Sequence, residues 1–130
     1  MWQTPIYDRT QSDINNKTSK GYLNISDLNR IEGNIAYVAE IMGVSVQKKE
    51  WNILSLPTSA DFTRIGKNIA ILEKKIVFTT YEDYPDNPIN TFEKVNIIEA
   101  LIMAIKGDYE LILGQTAYCG DAEYANSNLL

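Results

Sequence analysis

Histidine is absent from all 130 residues, and cysteine occurs once, at position 119. The first absence removes the commonest general base and the commonest metal ligand together. The second excludes an intrachain disulfide and leaves a thiolate metal site without partners, so Cys119 reads as an inert thiol. Cationic clustering is missing too: twelve Lys and Arg stand against seventeen Asp and Glu, a net charge of −5, and no stretch gathers the cations into a stripe. A non-specific nucleic-acid binder depends on cationic contacts to phosphate, so no nucleic-acid partner is expected. Long apolar runs are also lacking. The most apolar stretch, VNIIEALIMAI (95–105), is interrupted by Glu99 and ends at Lys106 and Gly107, far short of the ~20 residues a membrane crossing needs. A buried helix is the better reading, without membrane insertion. The opening MWQTPIYDRTQSD has neither the basic nor the apolar region of a secretory signal, so synthesis and folding in the cytoplasm are expected.

What is present describes one globular domain. Apolar residues make up 45% and charged residues 22%, an ordinary balance for a single hydrophobic core. Residues 27–36 read DLNRIEGNIA and residues 61–70 read DFTRIGKNIA, so six of ten letters recur 34 positions on. Tetratricopeptide repeats share that period but place two helices in it. Here each period holds one helical pattern and one extended link, which fits a duplicated helix inside a single bundle.

Three helix starts share a Thr or Asn, two residues, then Asp: Thr10 with Asp13, Asn24 with Asp27, and Thr58 with Asp61. The first residue of each pair caps an orphaned backbone N–H, and the Asp reaches back while meeting the positive end of the helix dipole. A fourth start pairs Asn90 with Glu93. The apolar stripes then follow at i, i+3, i+4 and i+7. They are Leu28, Ile31, Ile35, Val38 and Met42 in a helix from about 24 to 42; Phe62, Ile65, Ile69, Leu72 and Ile76 from about 58 to 76; and Val95, Ile98, Ile102, Ile105 and Tyr109 from about 91 to 113. A short polar helix over about 11–18 precedes them. The expected fold is all-α: a small bundle of three main helices plus one short N-terminal helix. Its long connections, near 44–57 and 77–89, leave room for a short two-stranded ribbon. The bundle is expected over 1–113, with a docking segment at 1–10, and 114–130 as a C-terminal arm or tail.

On a helical wheel Arg30 with Asn34, and Arg64 with Asn68, flank the apolar stripe in the same way. The corresponding flank of the last helix is Ile97 and Leu101, which makes that helix the expected centre of the bundle. Glu32 and Glu99 lie on the opposite flank. The expected structural ion pairs therefore draw on Arg30, Arg64, Glu32 and Glu99, with Arg30 or Arg64 meeting Glu99 across a helix interface.

No catalytic motif stands out. There is no P-loop, GxGxxG, GxSxG or HExxH pattern. The acidic cluster YEDYPDN (81–87) lacks the alternating ligands, central Gly and closing Glu of an EF-hand and reads as a solvated loop. No catalytic residue, cofactor or metal is expected. The remaining signal is aromatic. Trp2, Tyr7, Trp51, Tyr81 and Tyr84 fall outside the helical stripes and are candidate partner-binding anchors, Trp and Tyr being favoured at protein interfaces. For Trp2 and Trp51 the competing reading is a cap folded over the end of the bundle.

Several blocks taken together resemble small proteins and N-terminal modules from the virion-structure regions of phages and prophages of Gram-positive bacteria, commonly tail- or baseplate-associated. The residues that carry the resemblance are WQTPIYDRTQSD and KGYLNISDLNRIEGN, then the isolated Trp51, TRIGKN with Arg64 and Asn68, and VNIIEA with Asn96 and Glu99. They span roughly residues 1–105. The resemblance implies a noncatalytic virion part, made in the host cytoplasm, that docks onto other virion proteins as an attachment module or connector, with homo-oligomerisation open. The alternatives are a cytoplasmic phage-encoded adaptor and, third, a carbohydrate or cell-wall binding module built on Trp51 and the acidic tyrosine loop.

Overall fold

The computed structural model describes residues 1–18, 21 and 23–121, without the side chains of 115–121. Four helices follow one another: α1 (Gln11–Asn15), α2 (Ile25–Met42), α3 (Ser59–Glu73) and α4 (Phe92–Asp121). The protein is an all-helical bundle in which each of the three long helices packs against the other two. Its core is the set of apolar stripes. Ile31, Ile65, Leu72, Ile98 and Ile105 are wholly enclosed, with Trp51 buried beside them.

The helix starts are local chemistry. Thr10, Asn24 and Thr58 each accept from the amide of the Asp three residues on, and Asp13, Asp27 and Asp61 each accept the cap's own amide. Gly43 ends α2 in the left-handed region, φ 74°, where a side chain would be strained. The start of α4 lies one residue later than Asn90 and Glu93 suggest. Thr91 is the cap, its Oγ1 accepting from Lys94 N at 3.3 Å, because helical geometry begins at Phe92.

Three expectations give way. α4 does not stop near 113 but continues to Asp121. Gly114 costs only about 1 kcal/mol inside a helix, and with no proline after it each further residue still adds a backbone bond. The proposed arm is thus helical over 114–121, and 122–130 lie outside the described residues. Among the described residues there is no strand, so the two-stranded ribbon is absent. Finally, among the described side chains α2, with ten buried residues, is covered more completely than α4. The two extended segments 1–9 and 44–51 both close over α2, one along its border with α4 and the other along its border with α3. We call these segments straps.

Candidate functional site

The doubled decapeptide is one structural device built twice. Its three polar positions, Asp27, Arg30 and Asn34 in α2, recur as Asp61, Arg64 and Asn68 in α3. Each has the same task in both copies. The Asp closes the helix cap and holds the Arg one turn on: Arg30 Nη2 lies 2.6 Å from Asp27 Oδ1, and Arg64 Nη2 lies 3.8 Å from Asp61 Oδ1. The Arg reaches a buried Glu on a neighbouring helix, α4 for Arg30 and α2 for Arg64. Arg30 donates to Glu99 through Nε at 2.8 Å and Nη2 at 2.7 Å, and Arg64 donates to Glu32 through Nη1 at 2.7 Å and Nη2 at 2.5 Å. The Asn grips the backbone of a strap. Asn34 accepts from Gln3 N and donates to Gln3 O, both at 2.8 Å; Asn68 does the same to Gln47, at 3.2 and 2.7 Å.

The far end of each strap is held by a matching pair. Asn29 accepts from Trp51 N and donates to Trp51 O, at 2.9 and 3.1 Å. Asn96 does likewise to Arg9, at 3.2 and 3.0 Å. Between these grips the buried carboxylates complete their coordination. Glu99 accepts from Ile6 N at 3.1 Å and Arg9 Nη2 at 2.7 Å; Glu32 accepts from Lys49 N at 3.2 Å and Trp51 Nε1 at 2.8 Å. With the arginine bonds, each carboxylate takes four donors, its full acceptor capacity. In each strap three amides, those of Gln3, Ile6 and Arg9 and those of Gln47, Lys49 and Trp51, are satisfied by side chains of the bundle instead of by a neighbouring strand.

The third interface, between α3 and α4, is apolar. Counting along the repeat, the Arg position in α4 is Ile97, and the Glu position in α3 is Gly66. Tyr84, from the connection 77–91, fills the gap. A Cβ built on Gly66 would lie 2.8 Å from the Tyr84 ring, and the Tyr84 hydroxyl donates to Phe62 O at 2.7 Å.

The electrostatics follow from this enclosure. Hydrogen bonding to Glu99 outweighs burial and holds the Arg30 guanidinium protonated above its ordinary range; Glu32 does the same for Arg64. Burial pushes the Tyr84 phenol up, and burial with the Asp108 hydrogen bond does so for Tyr81. Burial also raises Glu73, aided by Asp83. For Asp61 burial works upward, but bonds from Thr58 and Lys49 bring the carboxyl below its usual value.

The aromatic candidates do not form one surface. Trp51 is 5% exposed and engaged through its Nε1, so it is a core residue rather than a partner anchor, and a sugar-stacking role for it loses its premise. Tyr84 is packed on Gly66, and the Tyr81 hydroxyl donates to Asp108 at 2.6 Å. Trp2 is half-buried against Tyr37, ring centroids 6.0 Å apart, with Lys106 Nζ 4.7 Å from its ring. Tyr7 alone of the five is exposed. The segment 1–10, expected to dock outward, lies largely along its own bundle.

A different surface emerges. Between the Trp51 grip and the α3 cap, Ile53, Leu54 and Leu56 are 86%, 90% and 80% exposed. They are held out by a turn in which Leu54 N donates to Asn52 Oδ1 and Ser55 N to Asn52 O, each at 2.9 Å. Beside this knob a groove of about 500 Å³ runs past Leu23, Ile25 and Leu28. Sequence reasoning missed the knob because its three side chains follow neither a helical nor an alternating period. It also missed the Asn grips, whose partners are 21 to 87 residues away, and Arg9, whose partner Glu99 is 90 residues away. The one available signal was that Asn34 and Asn68 recur with their arginines.

Among the described residues no helix is long and apolar enough to cross a membrane. Compared with known protein families, curated proteins and solved structures, the chain matches none.

Proposed function

We propose that this chain is a noncatalytic structural protein of a phage or prophage virion, a tail- or baseplate-associated attachment or connector module, which docks onto a neighbouring virion protein through the Ile53–Leu54–Leu56 knob. The observation that carries the docking part is the exposure of three large apolar side chains on a firmly held turn. Scattered exposed apolar residues are ordinary, but three in four positions, presented by a turn rather than left on a loose end, make a contact surface. The noncatalytic part is supported by the state of the carboxylates. Glu32 and Glu99 already accept four hydrogen bonds each, which leaves no lone pair for a substrate. The virion part rests on the sequence resemblance, whose residues Arg30, Asn34, Arg64, Asn68, Asn96 and Glu99 are the strap-and-clamp residues themselves.

Mass spectrometry of purified particles tests the assignment. The protein is expected in virions, and its absence from them would favour a cytoplasmic adaptor instead. The double variant Ile53→Ser/Leu54→Ser is expected to fold with stability within about 0.5 kcal/mol of the parent, since both side chains are exposed. It should nevertheless be lost from particles. Incorporation at the parental level would remove the knob from the reading.

A further inference from the structure

The knob and the groove beside it adjoin on one surface and have opposite shapes. Leu54 is the most exposed of the knob's three apolar side chains, at 90%, and does not line the groove. Ile53 and Leu56 do line it, together with Leu23, Ile25 and Leu28 around the start of α2. The groove is open and encloses about 500 Å³, ample for a leucine side chain. Its remaining lining is proline or uncharged polar, with Asn24, Ser26 and Ser55 among it. One stretch of surface thus presents a projecting plug, Leu54, and an apolar socket next to it.

We propose that the socket takes Leu54 of a second copy of this chain, in a twofold dimer where each knob fills the other copy's groove. This rests on the docking role given to the knob above and names its occupant. Shape is the first argument. A twofold axis uses the same patch on both partners, so plug and socket must adjoin on one surface, as they do here; a foreign partner imposes no such condition. Charge is the second. Two copies of a chain with net charge −5 repel one another, and like charges pressed together would oppose association. No residue lining the socket is charged, and neither is any of the knob's three apolar residues, so this face brings no like charges into contact. Area is the third. Burying one large aliphatic side chain removes on the order of 100 Å² of apolar surface. Three per knob, over both copies and with the walls they cover, give on the order of 1,000 Å², at the low edge of specific interfaces. The turn is already fixed by the Asn52 bonds to Leu54 N and Ser55 N, so little ordering opposes the contact. The product is a reversible dimer with a dissociation constant in the micromolar range, not an obligate one.

Sedimentation equilibrium of the full chain from about 1 µM to 1 mM tests this, with ¹⁵N amide shifts followed over the same dilution. A monomer–dimer equilibrium is expected, with the shifts gathered at residues 23–28 and 52–57. Leu54→Ser removes the plug, and Ser26→Trp obstructs the socket from an exposed position; circular dichroism checks that both variants fold. Each alone should weaken dimerisation at least about tenfold. Mixed together they should associate more tightly than either does alone, because the plug of Ser26→Trp meets the open socket of Leu54→Ser. A chain that stays monomeric throughout would overturn the proposal. So would a trimer or larger species, a dimer indifferent to Leu54→Ser, or a mixture that shows no rescue. If the chain is monomeric while Ile53→Ser/Leu54→Ser is still lost from particles, the second copy is wrong and the docking role stands with another neighbour. A dimer that behaves as expected, with that variant incorporated at the parental level, upholds the self-contact and removes the docking role.

Discussion

Replacing Glu99 with Gln removes one charge from the most enclosed polar cluster in the molecule. The carboxylate is 1% exposed and accepts from Ile6 N at 3.1 Å, Arg9 Nη2 at 2.7 Å, and Arg30 Nε and Nη2 at 2.8 and 2.7 Å. Gln keeps one acceptor oxygen and turns an NH₂ toward guanidinium donors. Arg9 and Arg30 then share only Asp27, which leaves one uncompensated positive charge in the interior. Breaking a buried pair in this way costs about 3–5 kcal/mol. Glu32→Gln removes the same number of bonds, but its arginine partner Arg64 is 20% exposed and can turn to water, so the loss should be smaller, about 1–3 kcal/mol. Urea unfolding followed by circular dichroism measures both, provided the slope with denaturant is unchanged. Adding Arg30→Gln to Glu99→Gln restores neutrality, and the double variant should be less destabilised than the sum of its parts. A loss below about 1 kcal/mol for Glu99→Gln would mean that the cluster behaves as a surface pair. A cost no larger than that of Glu32→Gln would refute the link between enclosure and energy.

Asn68→Ala should free the strap at Gln47, costing about 1–3 kcal/mol and raising hydrogen exchange at that amide while Gln3 stays protected by Asn34; equal exchange at both would argue against independent clamps. Gly66→Ala drives a methyl into the Tyr84 ring and should cost about 1–3 kcal/mol in thermal or urea unfolding, and pairing it with Tyr84→Ala should recover part of that loss. Because burial raises the Tyr84 and Tyr81 phenols, the folded state holds those protons more firmly than the unfolded chain. Their contribution is complete below the ordinary phenol value of about 10 and is lost as pH rises beyond it. The urea midpoint should therefore fall progressively as pH rises above about 10, and the fall should flatten in a Tyr81→Phe/Tyr84→Phe variant.

What could be read from residues alone divides by range. The cap of α2 was legible because Asn24 and Asp27 answer each other across three residues, whatever the rest of the chain does. An arginine opposite Glu99 was legible because the wheel placed Arg30, Arg64 and Glu99 at the borders of their stripes. It left Arg30 and Arg64 equally open as the partner, and the packing gives Glu99 to Arg30 and Glu32 to Arg64. Trp51 misled because it stands in a polar stretch, after KKE, with no periodicity to mark it as core. Its burial depends on Asn29 and Glu32, more than a turn of helix and a whole connection away.

The sequence by itself determined the helices, their caps and the duplicated Asp–Arg–Asn pattern, because those depend on contacts within a few residues and on a 3.6-residue period. Only the tertiary structure decided what the pattern is for. Two extended straps must satisfy their backbone amides somewhere, and the bundle offers Asn and Glu side chains along two of its three borders. That assignment requires groups up to 93 residues apart to meet, and no local rule carries information over such a distance.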